Sequence, residues 1–285
     1  MKPILEVNNL SKAFKNFSLE NVSFTLKEDC ITGFIGVNGA GKTTTIKAIL
    51  NLILKDTGSI RFREKDIEKN EGAFKDRIGV VMDEGYFYED LTLKDMKSVI
   101  APAYSTWDDS VFHHYMDRFK LNLSQKISTL SKGMRMKFAL AIALSHHADL
   151  LIMDEPTSGL DPLVRSELME ILLDFMMEEG KSVFFSTHIT SDLEKVADEL
   201  ILIDEGRILL HEAKDELIDR HALVKGDTAF LNEYTKKLFL SLHITSYGFE
   251  GITDQLSVVK EQMSQIVAER PSIEQIMLAY LGGDQ

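Results

Sequence analysis

The chain has 285 residues, 44% of them hydrophobic and 27% charged, which is ordinary for a globular protein with a sizeable core. Its net charge of -13 argues against sequence-independent binding of nucleic acid, which needs clustered lysine and arginine. There is no run of about 18 apolar residues to span a membrane, and the first residues lack the apolar region of a signal peptide. The single cysteine, Cys30, excludes an internal disulfide and fits a reducing cytosol; beside an apolar strand, it is expected to be buried rather than reactive.

The apolar patterns predict strands that alternate with helices. Strands are predicted at residues 4–7, 23–26, 31–35, 78–82, 150–153, 182–186 and 200–203, and helices at residues 43–54, 162–179 and, with interruptions, 93–144. This alternation indicates βαβ units and a parallel sheet, with a helix-rich insert between its two halves. Beyond residue 208 the pattern weakens until a final helix, which Ser272 and Gln275 are predicted to cap and Gly282 and Gly283 to terminate.

Residues 36–43 match the phosphate-loop pattern G-x-x-x-x-G-K-[ST] and lie between a buried strand and a helix. The glycines let backbone N–H groups turn inward around a β-phosphate, and the helix start adds its positive dipole end. Lys42 is expected to reach the β- and γ-phosphates, Thr43 to bind Mg²⁺ and Thr44 to contact the α-phosphate. The alternative is a glycine-rich turn without a ligand. The residues expected to form the turn itself are Asn38, Gly39, Ala40 and Gly41.

Two carboxylates, Asp154 and Glu155, end an apolar strand at the edge of the sheet where α/β proteins bind ligands. Asp154 suits Mg²⁺, directly or through water, and Glu155 can polarise an attacking water. His188 follows another strand and can hydrogen-bond the γ-phosphate or that water. Alone, the carboxylates would be a solvated turn and the histidine unremarkable; the phosphate loop favours the functional interpretation.

Ser131 and Gly133 precede a predicted helix and offer a hydroxyl and free N–H groups to an anion. The alternative is an ordinary N-cap serine. Because the chain already has a phosphate loop, a second anion-ready helix start makes more sense if it faces the nucleotide of another subunit.

Together these motifs resemble the ATP-binding subunit of an ABC transporter over about residues 3–212. The matching segments are the Walker A loop at residues 36–43, the signature at 130–134, the Walker B strand at 150–155, the D-loop at 158–161, which ends in Asp161, and the switch histidine His188. The resemblance implies an α/β fold, with a phosphate-loop NTPase core around a parallel sheet and an N-terminal antiparallel β subdomain. It also implies a helical signature subdomain at about residues 86–148 and a small C-terminal α+β accessory domain at residues 213–285.

Three positions depart from the family pattern. Met134 replaces the glutamine that usually ends the signature; with Lys132, it resembles bacterial exporter subunits of the antibiotic and peptide type. Asp83 stands where the Q-loop glutamine is expected; it can bind Mg²⁺ or its water but adds negative charge beside the phosphates. For stacking on adenine, Phe14 is the best-aligned aromatic residue and Phe17 the second, with core packing as the alternative for both.

The resemblance implies an ATPase that uses ATP and Mg²⁺ and works as a homodimer or heterodimer. Each ATP is then held between one Walker A loop and the partner's signature, and Asp161 of the D-loop is expected among the nucleotide-binding residues. Closure of the dimer is expected to drive export through a separate integral membrane permease, docked near residues 83–90 at the cytoplasmic face of the cell membrane.

Two other classes of protein stay open. Soluble regulatory or translation-linked ABC ATPases usually fuse two ATPase units, and the single phosphate loop argues against them. A structural chromosome-type ATPase would need long heptad segments, and none is visible.

Overall fold

The computed structural model describes residues 2–83 and 87–282, and the element bounds below refer to these residues. The strands are β1 (Pro3–Ala13), β2 (Ser18–Lys27), β3 (Ile31–Ile35), β4 (Thr57–Phe62), β5 (Lys65–Asp66), β6 (Ile78–Val81), β7 (Leu150–Asp154), β8 (Ser182–Thr187), β9 (Glu199–Asp204), β10 (Arg207–Ala213), β11 (Ala222–Gly226), β12 (Ser241–Thr245), β13 (Gly248–Thr253) and β14 (Val267–Glu269). The α-helices are α1 (Lys42–Ile49), α2 (Glu71–Lys75), α3 (Leu93–Ile100), α4 (Asp109–Arg118), α5 (Lys132–Leu144), α6 (Pro162–Phe175), α7 (Thr190–Val196), α8 (Lys214–Arg220), α9 (Glu233–Lys236), α10 (Leu256–Gln262) and α11 (Ile273–Leu281).

The centre of the fold is a six-stranded sheet in the order β10-β9-β3-β8-β7-β6. All neighbours in it are parallel except β9 and β10, which confirms the predicted α/β fold with a parallel sheet. Every residue of β3, β7 and β8 is buried, which explains their continuous apolar sequences. Parallel pairing brings the carboxyl ends of β3, β6, β7 and β8 to one edge.

The two faces of this sheet bury different layers. Leu150 and Ile152 pack with α1 and the antiparallel sheet β2-β1-β4-β5, which confirms the N-terminal antiparallel subdomain. Leu151 and Met153 pack on the other side with apolar residues of α3 to α7. Helices α3, α4 and α5 fall within the predicted helical subdomain at residues 86–148, whose first residue lies outside the described residues.

Some predicted elements differ in length or were missed. The helix predicted at residues 43–54 ends at Ile49, because the chain turns at Asn51 with a φ of 55°. The helix predicted at residues 162–179 ends at Phe175. The strand pattern missed β10, an edge strand of which only one residue is fully buried, so no apolar run marks it.

The C-terminal segment has its own antiparallel sheet, in the order β12-β13-β11-β14. Strand β10 ends at Ala213, beside the predicted boundary after residue 212, but Leu217 of α8 and Ile276 of α11 belong to the same apolar cluster as α7. The segment therefore packs against the part of the fold that contains the central sheet, and its division as a separate domain stays a prediction. The capping box of Ser272 and Gln275 is confirmed, and Gly282 caps α11; Gly283 lies outside the described residues.

Two further expectations can be compared with the fold. Cys30 is buried, and burial raises the pKa of its thiol to about 12, so it is not a reactive nucleophile. Within residues 2–83 and 87–282, the helices are all too short or too polar to span a bilayer.

Candidate functional site

A cleft of about 670 Å³ opens at the carboxyl edge of the central sheet. It gathers the phosphate loop, three residues that follow strands, and residues from two nearby loops. Its lining residues are Asn16, Phe17, Asn38, Gly39, Gly41, Lys42, Thr43, Thr44, Asp83, Glu155, Ser158 and His188.

The phosphate loop turns sharply between β3 and α1. Gly39 and Gly41 have φ angles of 87° and 114°, a region that favours glycine. Lys42 begins α1, and its Nζ donates to the carbonyl oxygens of Gly36 at 2.7 Å and Val37 at 3.2 Å. The lysine is thus folded back over the loop, with its charge directed into the cleft.

Lys42 also pairs with a carboxylate from the neighbouring strand end. Its Nζ lies 3.1 Å from Oε1 of Glu155, and the two side chains are only 6% and 12% exposed. A phosphate entering the loop would offer Lys42 a stronger anionic partner and release Glu155. The site can therefore exchange an internal ion pair for a bound phosphate.

Asp154 is buried at the last position of β7. Its Oδ1 accepts a hydrogen bond from Ser186 Oγ at 2.6 Å, and Thr43 also donates to the carboxylate. Burial raises the pKa of Asp154 above its usual value, although these two hydrogen bonds lower it in part. The Thr43 hydroxyl and the Asp154 carboxylate are hard oxygen donors, and this small set fits Mg²⁺, which usually takes one or two carboxylates together with phosphate and water. Among the described residues, no group of three or more His, Cys, Asp or Glu side chains is arranged to hold a metal ion.

Glu155 has an unusual backbone for a residue other than glycine, with a φ of 48°. Its N–H donates to the carbonyl oxygen of Ser186 at 3.1 Å and lies 3.0 Å from Ser186 Oγ. Its Oε2 lies 2.7 Å from Nδ1 of His188, which follows β8. Because the adjacent parallel strands β7 and β8 end together, the carboxylate and the imidazole meet at the mouth of the cleft.

Asp83 follows β6 and reaches the same cleft. Its Oδ1 lies 2.6 Å from Nζ of Lys132, the first residue of α5. Asp83 thus connects the cleft to the helical subdomain.

Ser131, Gly133 and Asp161 do not line this cleft. Ser131 is the N-cap of α5 and accepts from the N–H of Met134 at 3.2 Å. Gly133 lies in α5 next to Val164, and Asp161 is the N-cap of α6. Their predicted contacts with a partner's nucleotide stay predictions.

The structure places Phe17 in the lining of the cleft, whereas Phe14 is 46% exposed and does not line it. The two ring centroids lie 6.4 Å apart. Which ring stacks on adenine stays a prediction. Sequence reasoning missed Ser186; the available signal was a polar residue directly after the apolar residues 183–185 of β8.

Known proteins resemble this chain in sequence and in fold. The ABC transporter family profile matches residues 19–158. The bacitracin transport ATP-binding protein of Bacillus licheniformis is 31% identical over 224 residues, covering 78% of this chain and 73% of the relative. The lantibiotic transport ATP-binding protein of Streptococcus pyogenes is 32% identical over 215 residues, covering 74% and 92%. A solved structure of the ATP-binding subunit of an ABC transporter superposes with a TM-score of 0.69 at 28% identity, covering 76% of this chain and 92% of that one.

Proposed function

The chain belongs to the ATP-binding proteins of the ABC transporter family, and on this premise we propose that it powers export through a separate membrane permease. As a member of this family it binds ATP and hydrolyses it. Transport of bacitracin and of lantibiotics by similar proteins supports a peptide antibiotic as the class of cargo. The observation that carries the proposal is the cleft that unites Lys42, Glu155 and His188.

In this proposal, each residue of the cleft has a separate role in binding or hydrolysing ATP. Lys42 contacts the β- and γ-phosphates, Thr44 contacts the α-phosphate, and backbone N–H groups of residues 38–41 surround the β-phosphate. Mg²⁺ held by Thr43, Asp154 and Asp83 would offset the phosphate charge. Once phosphate occupies Lys42, Glu155 is free to polarise water, and His188 holds its carboxylate in place. An aromatic residue of the first loop, Phe14 or Phe17, stacks on the adenine.

A second ATPase subunit, either identical or related, completes the nucleotide-binding site. Ser131 and Gly133 lie at the start of α5 and outside the chain's own cleft, which leaves that helix start available to a partner. Asp161 caps α6 next to the same surface. In the closed pair, the partner's γ-phosphate would meet the Ser131 hydroxyl and the positive end of the helix.

The permease would hold the chain at the cytoplasmic face of the membrane. We place its contact near residues 83–90, of which residues 84–86 lie outside the described residues. This segment joins the cleft to the helical subdomain, so closure of the pair can move it. Residues 213–285 form an accessory domain that rests on the ATPase core.

The proposal is tested by expressing the chain with the membrane protein encoded beside it and purifying the assembly in detergent. The chain should co-purify with that protein and hydrolyse ATP. Lys42→Ala should abolish hydrolysis without dissociating the assembly. Lys47→Ala, a change on the same helix outside the cleft, should keep both properties. Failure to co-purify, with hydrolysis retained, would contradict export and favour a soluble ATPase.

A further inference from the structure

We infer that Lys132 is a positioning residue for its own chain's nucleotide, because it neutralises Asp83 at the edge of the cleft. This inference rests on the proposed nucleotide site and adds a role in cis for a lysine of the signature segment, whose neighbours Ser131 and Gly133 are proposed to serve the partner. Asp83 and Lys132 come from different parts of the fold, the end of β6 and the start of α5.

The ion pair is close and well supported. Lys132 Nζ lies 2.6 Å from Asp83 Oδ1, and the side chains are 43% and 36% exposed. The Asp83 Oδ1 atom itself is buried and, apart from this ion pair, has no polar partner in the described structure, so the lysine is what compensates its charge. The lysine side chain passes Gly159: a Cβ added there would lie 3.5 Å from Nζ and 3.6 Å from Cδ. These are ordinary van der Waals distances, so the lysine side chain packs against this turn on its way to Asp83.

The charge balance of the cleft explains why this lysine matters. Among the described residues that line the cleft, Asp83 and Glu155 are the acids and Lys42 is the only lysine or arginine. Lys42 already pairs with Glu155 at 3.1 Å. An uncompensated Asp83 would repel the phosphates of ATP, so Lys132 supplies the second positive charge from outside the lining.

The experiment is a double-mutant cycle that reads the affinity for ATP. Four full-length proteins are compared, the wild type, Lys132→Ala, Asp83→Asn and the double variant, by calorimetric titration with ATP in EDTA. Excluding Mg²⁺ prevents turnover and separates this effect from metal binding. Lys126→Ala, at an exposed lysine outside the cleft, is the matched control, and thermal unfolding verifies that each variant is folded.

Lys132→Ala should weaken ATP binding about threefold to tenfold in the wild-type background, as expected for one uncompensated charge near the phosphates. In the Asp83→Asn background the same substitution should change the affinity by less than about twofold. Lys132→Arg should bind like the wild type, since arginine keeps the charge.

Two results would overturn the inference while the nucleotide site stands. An equal loss in both backgrounds would mean that Lys132 acts on a phosphate directly or across a dimer, and no loss in the wild-type background would mean that Asp83 needs no compensation. Failure of the wild type to bind ATP at all would instead overturn the nucleotide site, and the inference with it.

Discussion

His188 Nδ1 lies 2.7 Å from Glu155 Oε2, whose other carboxylate oxygen lies 3.1 Å from Lys42 Nζ. The carboxylate is therefore held between the histidine and the phosphate-loop lysine. If a bound phosphate replaced Glu155 as the partner of Lys42, the His188 contact could still orient the Glu155 carboxylate toward the cleft. In the proposed function, Glu155 polarises the attacking water and His188 keeps the Glu155 carboxylate oriented.

His188→Ala should slow ATP hydrolysis about a hundredfold, because Glu155 loses the partner that orients it. Affinity for ATP should change little, since Lys42 and the phosphate loop are untouched. Phosphate release measured at saturating ATP, together with calorimetric binding, separates the two effects. His243→Ala, at an exposed histidine of the C-terminal sheet, is the control; an unaltered rate in His188→Ala would exclude the histidine from the reaction.

Ser131→Asp tests the proposed contact with a partner's nucleotide. Aspartate is as good an N-cap as serine, so the free energy of unfolding should change by less than about 0.5 kcal/mol. The new negative charge would repel a partner's γ-phosphate, so ATP-dependent dimers should disappear from size-exclusion profiles. Ser272→Asp changes the N-cap of α11 in the same way and should leave dimers intact. If Ser131→Asp still forms dimers with ATP, the start of α5 does not face the nucleotide.

Asp83→Ala should raise the Mg²⁺ concentration needed for half-maximal hydrolysis, by a few-fold. Lys132 engages Oδ1 of Asp83, which leaves the second oxygen for the metal or its water. Asp90→Ala, at an exposed position, should not shift the titration. An unchanged Mg²⁺ titration in Asp83→Ala would remove Asp83 from the metal site.

His146 makes stability depend on pH. Its ring is fully buried and stacks on Tyr104 with centroids 3.8 Å apart. Burial lowers its pKa from the ordinary 6.5 to about 4, although Asp76 raises it in part. The unfolded chain therefore binds a proton more readily, and stability should fall as the pH drops from about 6.5 toward 4. For this group alone the loss at pH 5 is about 2 kcal/mol relative to pH 7.5.

His146→Phe should remove that part of the pH dependence, since phenylalanine can keep the stack on Tyr104 without a titrating group. Urea unfolding of both proteins at pH 7.5 and pH 5 measures the difference. His147→Phe, at the exposed neighbouring histidine, serves as the control. Equal losses of stability in the wild type and in His146→Phe would show that His146 titrates normally.

Much of the site could be predicted from sequence because its chemistry is local. Residues 36–43 are one continuous loop and helix start. Asp154 ends the buried strand β7, and Glu155 and His188 directly follow β7 and β8, whose apolar runs are plain in the sequence. The Asp83–Lys132 pair could not be predicted, since it depends on how α5 is oriented against the end of β6. Edge strand β10 was missed for a different reason: it is paired on one side only and carries polar residues, so its sequence shows no apolar run.

The central claim is that Glu155 drives hydrolysis in an ATP-dependent pair of subunits. Glu155→Gln keeps the shape of the side chain and removes its charge, so it should bind ATP with little change while turnover falls by about two to four orders of magnitude. Size-exclusion chromatography with light scattering, run with ATP and Mg²⁺, measures the result directly. The Glu155→Gln variant is expected to elute as a dimer with ATP and as a monomer without it. A monomer under both conditions would contradict the claim, as would hydrolysis of ATP by the variant at the wild-type rate.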